Sequence, residues 1–189
     1  MSNHARGLWG YSGKTTSGLE LTIQATGMGG PSAALVLADL AKLGVRRAVR
    51  VGTCTAVAGR SRLGDLLVVA KAVAGGGSST SFGLDAGDMV TPNPALLAGL
   101  ERAPGRNMEA AIIASLDTTE AEMDKLPDTV AAADMQTVAV LARGAQLDMA
   151  TAAVVIVSDA SGKRISDEQL EATTKRAGHM ALGGLSLSG

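Results

Sequence analysis

Val49-Arg50-Val51-Gly52-Thr53-Cys54-Thr55-Ala56 sets a guanidinium in an apolar run and follows it with a glycine and hydroxyl residues. As the end of a strand, this stretch suits an oxyanion: Arg offers a fixed charge and a planar donor fork, and Thr a short hydrogen bond. Upstream, Thr26-Gly27-Met28-Gly29-Gly30-Pro31-Ser32 makes a second glycine-rich bend. The alternation of residues 21–25 predicts a strand before that bend. Leu35, Leu37, Leu40 and Leu43 predict a helix over 32–42 after it, with Pro31 in the first turn and Gly44 as C-cap. A strand over 48–52 completes a strand-helix-strand unit, for which parallel pairing and a right-handed crossover are expected. Two such bends on neighbouring strands predict one shared pocket.

Downstream, the apolar run 66–73 predicts a buried strand, and the Gly- and Ser-rich segment 74–88 a long loop of the kind used as a lid. A helix is expected over 94–102, a strand over 108–115, a polar irregular stretch over 117–128 and an Ala-rich helix over 130–145. Residues 152–157 are uniformly apolar and run straight into Ser158-Asp159; Ser166 then opens the last helix, with Glu168 or Gln169 near capping-box spacing. No internal repeat or linker divides the sequence. The expected architecture is one α/β domain over 1–189, with a mixed, largely parallel central sheet flanked by helices.

The chain has 189 residues, 46% of them hydrophobic but only 2% aromatic, so Ala, Val, Leu, Ile and Met must build the core. A net charge of -1 gives no field that would attract nucleic acid or an anionic membrane. One cysteine excludes an internal disulfide, and His4 and His179 have no metal-ligand spacing, so no metal site is expected. No apolar h-region or membrane-length run is present, which points to a cytoplasmic protein.

Ligands in open α/β sheets collect beyond the carboxyl ends of the strands. Gly27–Gly30, Arg50 with Thr53, and Asp159 are expected there, as an anion-binding half and an acid-base half. The glycine bend alone reads as a tight turn; the three groups together read as a site. Asp134-Met135-Gln136 reads either as a pocket rim or as a solvated helix start, with Asp placed well against the helix dipole. Lys163 or Arg164 could steady the Asp159 carboxylate. Cys54 and His179 read first as packing residues.

These segments, in this order, resemble the purine nucleoside phosphorylase and uridine phosphorylase family, the nucleoside phosphorylase type I superfamily. The resemblance runs through Arg6-Gly7-Leu8-Trp9-Gly10-Tyr11-Ser12-Gly13, the two glycine-rich bends, Leu63-Gly64-Asp65, Asp134-Met135-Gln136 and Val157-Ser158-Asp159. It implies a nucleoside phosphorylase-like fold and phosphorolysis, in which phosphate attacks the anomeric carbon of a nucleoside to give pentose 1-phosphate and free base. Inorganic phosphate would be a co-substrate, with no cofactor. Arg50 and Thr53 match the family's phosphate ligands, and Arg6 an arginine donated by a neighbouring subunit. That implies a homodimer unit, with trimers of dimers as the larger option. Met135 matches a residue packing on the sugar, and Gln136 stands where the family has a glutamate for the ribose hydroxyls. Cys54, Asp134 and Ser158 fall beside these in the nucleoside-binding set. Asp159 matches the acid that protonates the leaving purine, a role suited by desolvation at a buried strand end.

Arg50 favours a phosphorylase over a nucleosidase. Ser158-Asp159 resembles the purine branch, while Gly-Gly-Pro-Ser also resembles uridine phosphorylases. Departures accompany the match. The family's first strand and Gly-Asp-Pro loop precede the Arg6 segment and are expected to be lacking. Thr55 replaces a glycine, and Asp117-Thr118-Thr119-Glu120 stands where aromatics stack on the base. A catalytically silent nucleoside-binding relative, or a structural partner subunit, is the alternative reading.

Overall fold

Six consecutive apolar side chains at 152–157 leave no polar face, so this segment must be covered on both sides. It forms the middle of β8 (Ala150–Ala160), whose residues from Thr151 to Ser158 are all buried. Each fully buried Val or Ile there contributes about 1.5–3 kcal/mol. The computed structural model describes residues 7–57, 59–103, 110–118 and 123–187.

The remaining strands are β1 (Gly10–Lys14), β2 (Glu20–Gln24), β3 (Arg47–Ala56), β4 (Leu66–Ala74), β5 (Met89–Val90), β6 (Ala110–Ser115), β7 (Ala132–Asp134) and β9 (Lys163–Arg164). The helices are α1 (Gly30–Lys42), α2 (Pro94–Arg102), α3 (Thr137–Gln146) and α4 (Asp167–Leu187). Seven strands make one mixed sheet in the order β5-β4-β6-β7-β3-β8-β9. Strand β4 also pairs antiparallel with β8, which closes β4, β6, β7, β3 and β8 into a ring. The longest ladders are parallel, β3 with β8 and β4 with β6, as expected.

Alternation sorts the two faces. Val49 and Val51 of β3 join Val154 and Ile156 of β8 against Leu96 and Leu100 of α2 and Ala177 and Met180 of α4. On the other face Cys54, Ala56, Val155 and Val157 pack with Val138 and Leu141 of α3. Helix α1 lies over α3 through Ala33, Leu37 and Val140. Asn93 caps α2, its side chain accepting from the amides of Ala95 and Leu96 at 3.0 and 3.2 Å. The Ser166 hydroxyl accepts from the Gln169 amide at 3.2 Å at the start of α4.

Four expectations need correcting. Strand β2 does not pair with β3 in a parallel unit; it forms a separate antiparallel hairpin with β1. Its apolar residues line one face only, which suits a ribbon and not a central strand. Residues 130–145 are not one helix. Ala132–Asp134 is strand β7, and the helix starts at Thr137, because small alanines fit either state and the sheet claims the first of them. Segment 74–88 contains a 3-10 turn, Gly77–Phe82, pinned where the Ser78 amide and hydroxyl donate to Asp117 at 2.9 and 2.6 Å. His179 lies exposed on α4 instead of packing.

Candidate active site around Arg50

Strand β3 does not end at the glycine after Arg50 but runs on to Ala56. Gly52 is needed for a different reason: the Arg50 side chain folds over it, and a Cβ there would collide with the guanidinium. Arg50, Gly52 and Cys54 share a face of the strand, and glycine makes the channel along which the arginine lies. Burial leaves only 10% of the Arg50 side chain exposed.

A buried guanidinium needs a counter-charge, and β7 supplies one. Nη2 of Arg50 is 3.0 Å from Oδ2 of Asp134, whose side chain is 1% exposed. Asp134 is itself heavily solvated by the protein. It accepts from the hydroxyls of Ser115 and Thr137, both at 2.6 Å, from the Thr137 amide at 3.1 Å and from the Gln136 amide at 3.3 Å. These donors make Asp134 the cap of α3 as well as the partner of Arg50. Ser115 also accepts from the Val138 amide at 2.9 Å, tying β6 into the same junction. The carboxylate points into this junction and toward Arg50. Two nitrogens of Arg50, Nε and Nη1, are buried and have no hydrogen-bond partner among the described residues.

Asp159 reaches the same face from β8, where it stands opposite Thr55 across a bulge. The Asp134 and Asp159 carboxylates act to raise the pKa of the Cys54 thiol and the Arg50 guanidinium to lower it. Burial, more than those charges, pushes the thiol pKa far up, so Cys54 is a protonated packing residue whose Sγ donates to the Ile156 carbonyl at 3.4 Å. Ser158 Oγ, within hydrogen-bonding distance of both the Cys54 carbonyl and Asp159, ties Asp159 to the strand that carries Arg50. The buried strand end expected around Asp159 is more open than that, with 32% of its side chain exposed. Its oxygens accept from Ser158 Oγ at 2.7 Å and from Arg164 Nε at 3.0 Å, the latter from an exposed side chain. An ion pair so placed contributes about 0–1 kcal/mol.

A family model described as the phosphorylase superfamily matches residues 2–183. The chain belongs to this superfamily. Among relatives of this phosphorylase superfamily member, a purine nucleoside phosphorylase DeoD-type of Bacillus cereus is 29% identical over 193 residues, covering 95% of this chain and 81% of that protein. A uridine phosphorylase of Haemophilus influenzae is 38% identical over 66 residues, covering 35% of this chain and 26% of that protein. A guanosine phosphorylase of Halorubrum lacusprofundi is 38% identical over 65 residues, 34% of this chain and 27% of that protein. With these last two the match spans about a quarter of the relative's length.

The other expected site residues of this superfamily member are placed less uniformly. Thr53 is exposed and, by strand alternation, sits on the opposite face of β3 from Arg50, on the side of Val49 and Val51. Met135 is half-buried beside the start of α3, and its carbonyl approaches Gly30. Gln136 is buried, its amide turned toward the glycine-rich loop. Ser158 bridges strands, donating between the Cys54 carbonyl and Asp159. Arg6 lies outside the described residues. Sequence reasoning missed Ser115 and Thr137; the available signal was a hydroxyl closing the apolar run 110–115. A separate recess of about 410 Å³ lies between the C-terminal ends of α1 and α3, lined by Lys42, Arg46, Arg143 and Leu147. Arg46 there donates to the carbonyls of Ala41 and Val45, capping α1.

Proposed function

We propose that this protein is a nucleoside phosphorylase acting on purine nucleosides, with inorganic phosphate as co-substrate. The observation that carries the reading is the Arg50 guanidinium, held against Asp134 with two buried donors unpartnered. A buried cation of this kind is completed by an acceptor-rich anion, and phosphate offers four oxygens. Arg50 holds the phosphate while one of its oxygens attacks the anomeric carbon. The glycosidic bond breaks as the new C–O bond forms, and its electron pair leaves with the base. Asp159 acts as the general acid and delivers the proton that the departing purine nitrogen requires. Met135 and Ser158 line the nucleoside side. The names of the relatives include both purine and uridine phosphorylases; Asp159 is what favours a purine.

Release of hypoxanthine from inosine should require phosphate and yield pentose 1-phosphate in equal amount. Phosphate-independent release would indicate a nucleosidase instead. Thr53→Val gives a finer check. Because Thr53 faces away from Arg50, the substitution should change the phosphate KM by less than about twofold, a shift below 0.5 kcal/mol. A tenfold rise would put its hydroxyl on the phosphate.

The β1–β2 hairpin gives reason to place a second copy beside the first. Tyr11 and Ile23 are direct cross-strand partners, and Trp9 lies two residues from Tyr11 on the same face; they are 71%, 66% and 63% exposed. The opposite face is polar, with a Ser12–Thr22 hydrogen bond and a Lys14–Glu20 ion pair. An apolar ribbon face suits a homodimer, and it lies just after Arg6, the residue proposed to complete a neighbour's phosphate site. Tyr11→Glu with Ile23→Lys should convert a dimer to monomer by analytical ultracentrifugation and lower activity with it. A wild-type monomer at assay concentration would remove the proposal.

A further inference from the structure

Gln136 occupies the N-cap position of α3, yet its side chain makes no capping bond, because Asp134 accepts from the Thr137 amide and Ser115 Oγ from the Val138 amide. The freed amide crosses to the glycine-rich loop. Its Nε2 donates to the carbonyl of Gly27 at 2.6 Å and to that of Gly29 at 3.3 Å, while Oε1 accepts from the Thr26 hydroxyl at 3.3 Å. Two carbonyls converging on one nitrogen require a group with two N–H donors; a carboxylate, which only accepts, would meet them with like charge. The loop has reason to need this tie. Gly27 and Gly29 both have positive φ, and besides the amide the loop is held by Ser32 Oγ donating to the Thr26 carbonyl at 2.6 Å and by the Ala33 amide donating to the Gly29 carbonyl at 3.3 Å.

We propose that Gln136 is a positioning residue: its amide fastens loop 26–30 to the start of α3 and so fixes the wall on the nucleoside side, in place of binding the sugar itself. The departure from a glutamate at this position and the geometry of the loop are then one adaptation, since the loop carbonyls select the amide. The kinetic consequence rests on the phosphorolysis reading; the structural one does not.

Two variants separate the contributions. Gln136→Met keeps the length and burial but removes every hydrogen bond, and Gln136→Glu places a carboxylate against the two carbonyls. Amide hydrogen exchange on the intact protein is the first readout, with β8 amides as the internal check of folding. Loop 26–30 should exchange about tenfold faster or more in both variants, the scale of losing one or two hydrogen bonds, with β8 unchanged. In steady-state assays the nucleoside KM should rise about tenfold while the phosphate KM stays within about twofold, because the Arg50–Asp134 pair is untouched. Wild-type exchange of the loop in Gln136→Met would overturn the proposal. If the nucleoside KM also rose in that case, the amide would be a direct sugar ligand. Absence of turnover in the wild-type protein would count against phosphorolysis alone, and the exchange result would still decide the role of Gln136.

Discussion

Arg50→Ala should destabilise the protein by about 3–5 kcal/mol and abolish phosphate-dependent activity, because it strips a buried carboxylate of its only ion-pair partner among the described residues. The two effects come from one arrangement and can be pulled apart. Arg50→Met keeps most of the side-chain volume over Gly52 but still leaves the Asp134 charge without a cation. Arg50→Met with Asp134→Asn removes both charges while the Asn oxygen, in the place of Oδ1, continues to accept from the Ser115 hydroxyl and the Thr137 amide. The double variant should recover most of the lost stability in urea denaturation, yet phosphate should no longer protect it or support turnover. If activity returned along with stability, Arg50 would be a structural cation and the phosphate would bind elsewhere.

Asp159→Asn should leave the fold intact and lower kcat for a purine nucleoside by about 10²–10⁴-fold, the range for loss of a positioned general acid. Stability should move little, because the carboxylate is one-third exposed and its Arg164 partner sits on the surface. The chemistry supplies its own control. A nucleoside whose base already carries a positive charge leaves without needing a proton, so its phosphorolysis should be nearly indifferent to the substitution. Equal losses on both substrates would mean that Asp159 acts by holding the base or the backbone and does not donate a proton.

Much of this arrangement was legible where composition left no choice. The uniformly apolar run that became β8 had to be a buried strand, and Asn93-Pro94 fixed the start of α2 through a cap and a proline. Where side chains are small, the chain carried little information: the alanines around 132 satisfied helix and strand alike, and only pairing with β3 and β6 made them β7. The hairpin was missed because alternation reveals a half-covered strand but not its partner. In the site, parity was the overlooked signal. Arg50, Gly52 and Cys54 share an even register that Thr53 does not, so residues adjacent in a motif were separated by the pleat. Gln136 was visible as a departure, whereas the carbonyls it serves arise from backbone angles at Gly27 and Gly29 that sequence does not display.

The β4–β8 pairing has a consequence for how anything enters or leaves. Five strands bonded edge to edge in a circuit behave as a hoop, and a hoop cannot yawn: separating any two neighbours would break a ladder without freeing a hinge. Any opening among these strands must therefore come from the segments that join them, while the scaffold beneath keeps its dimensions.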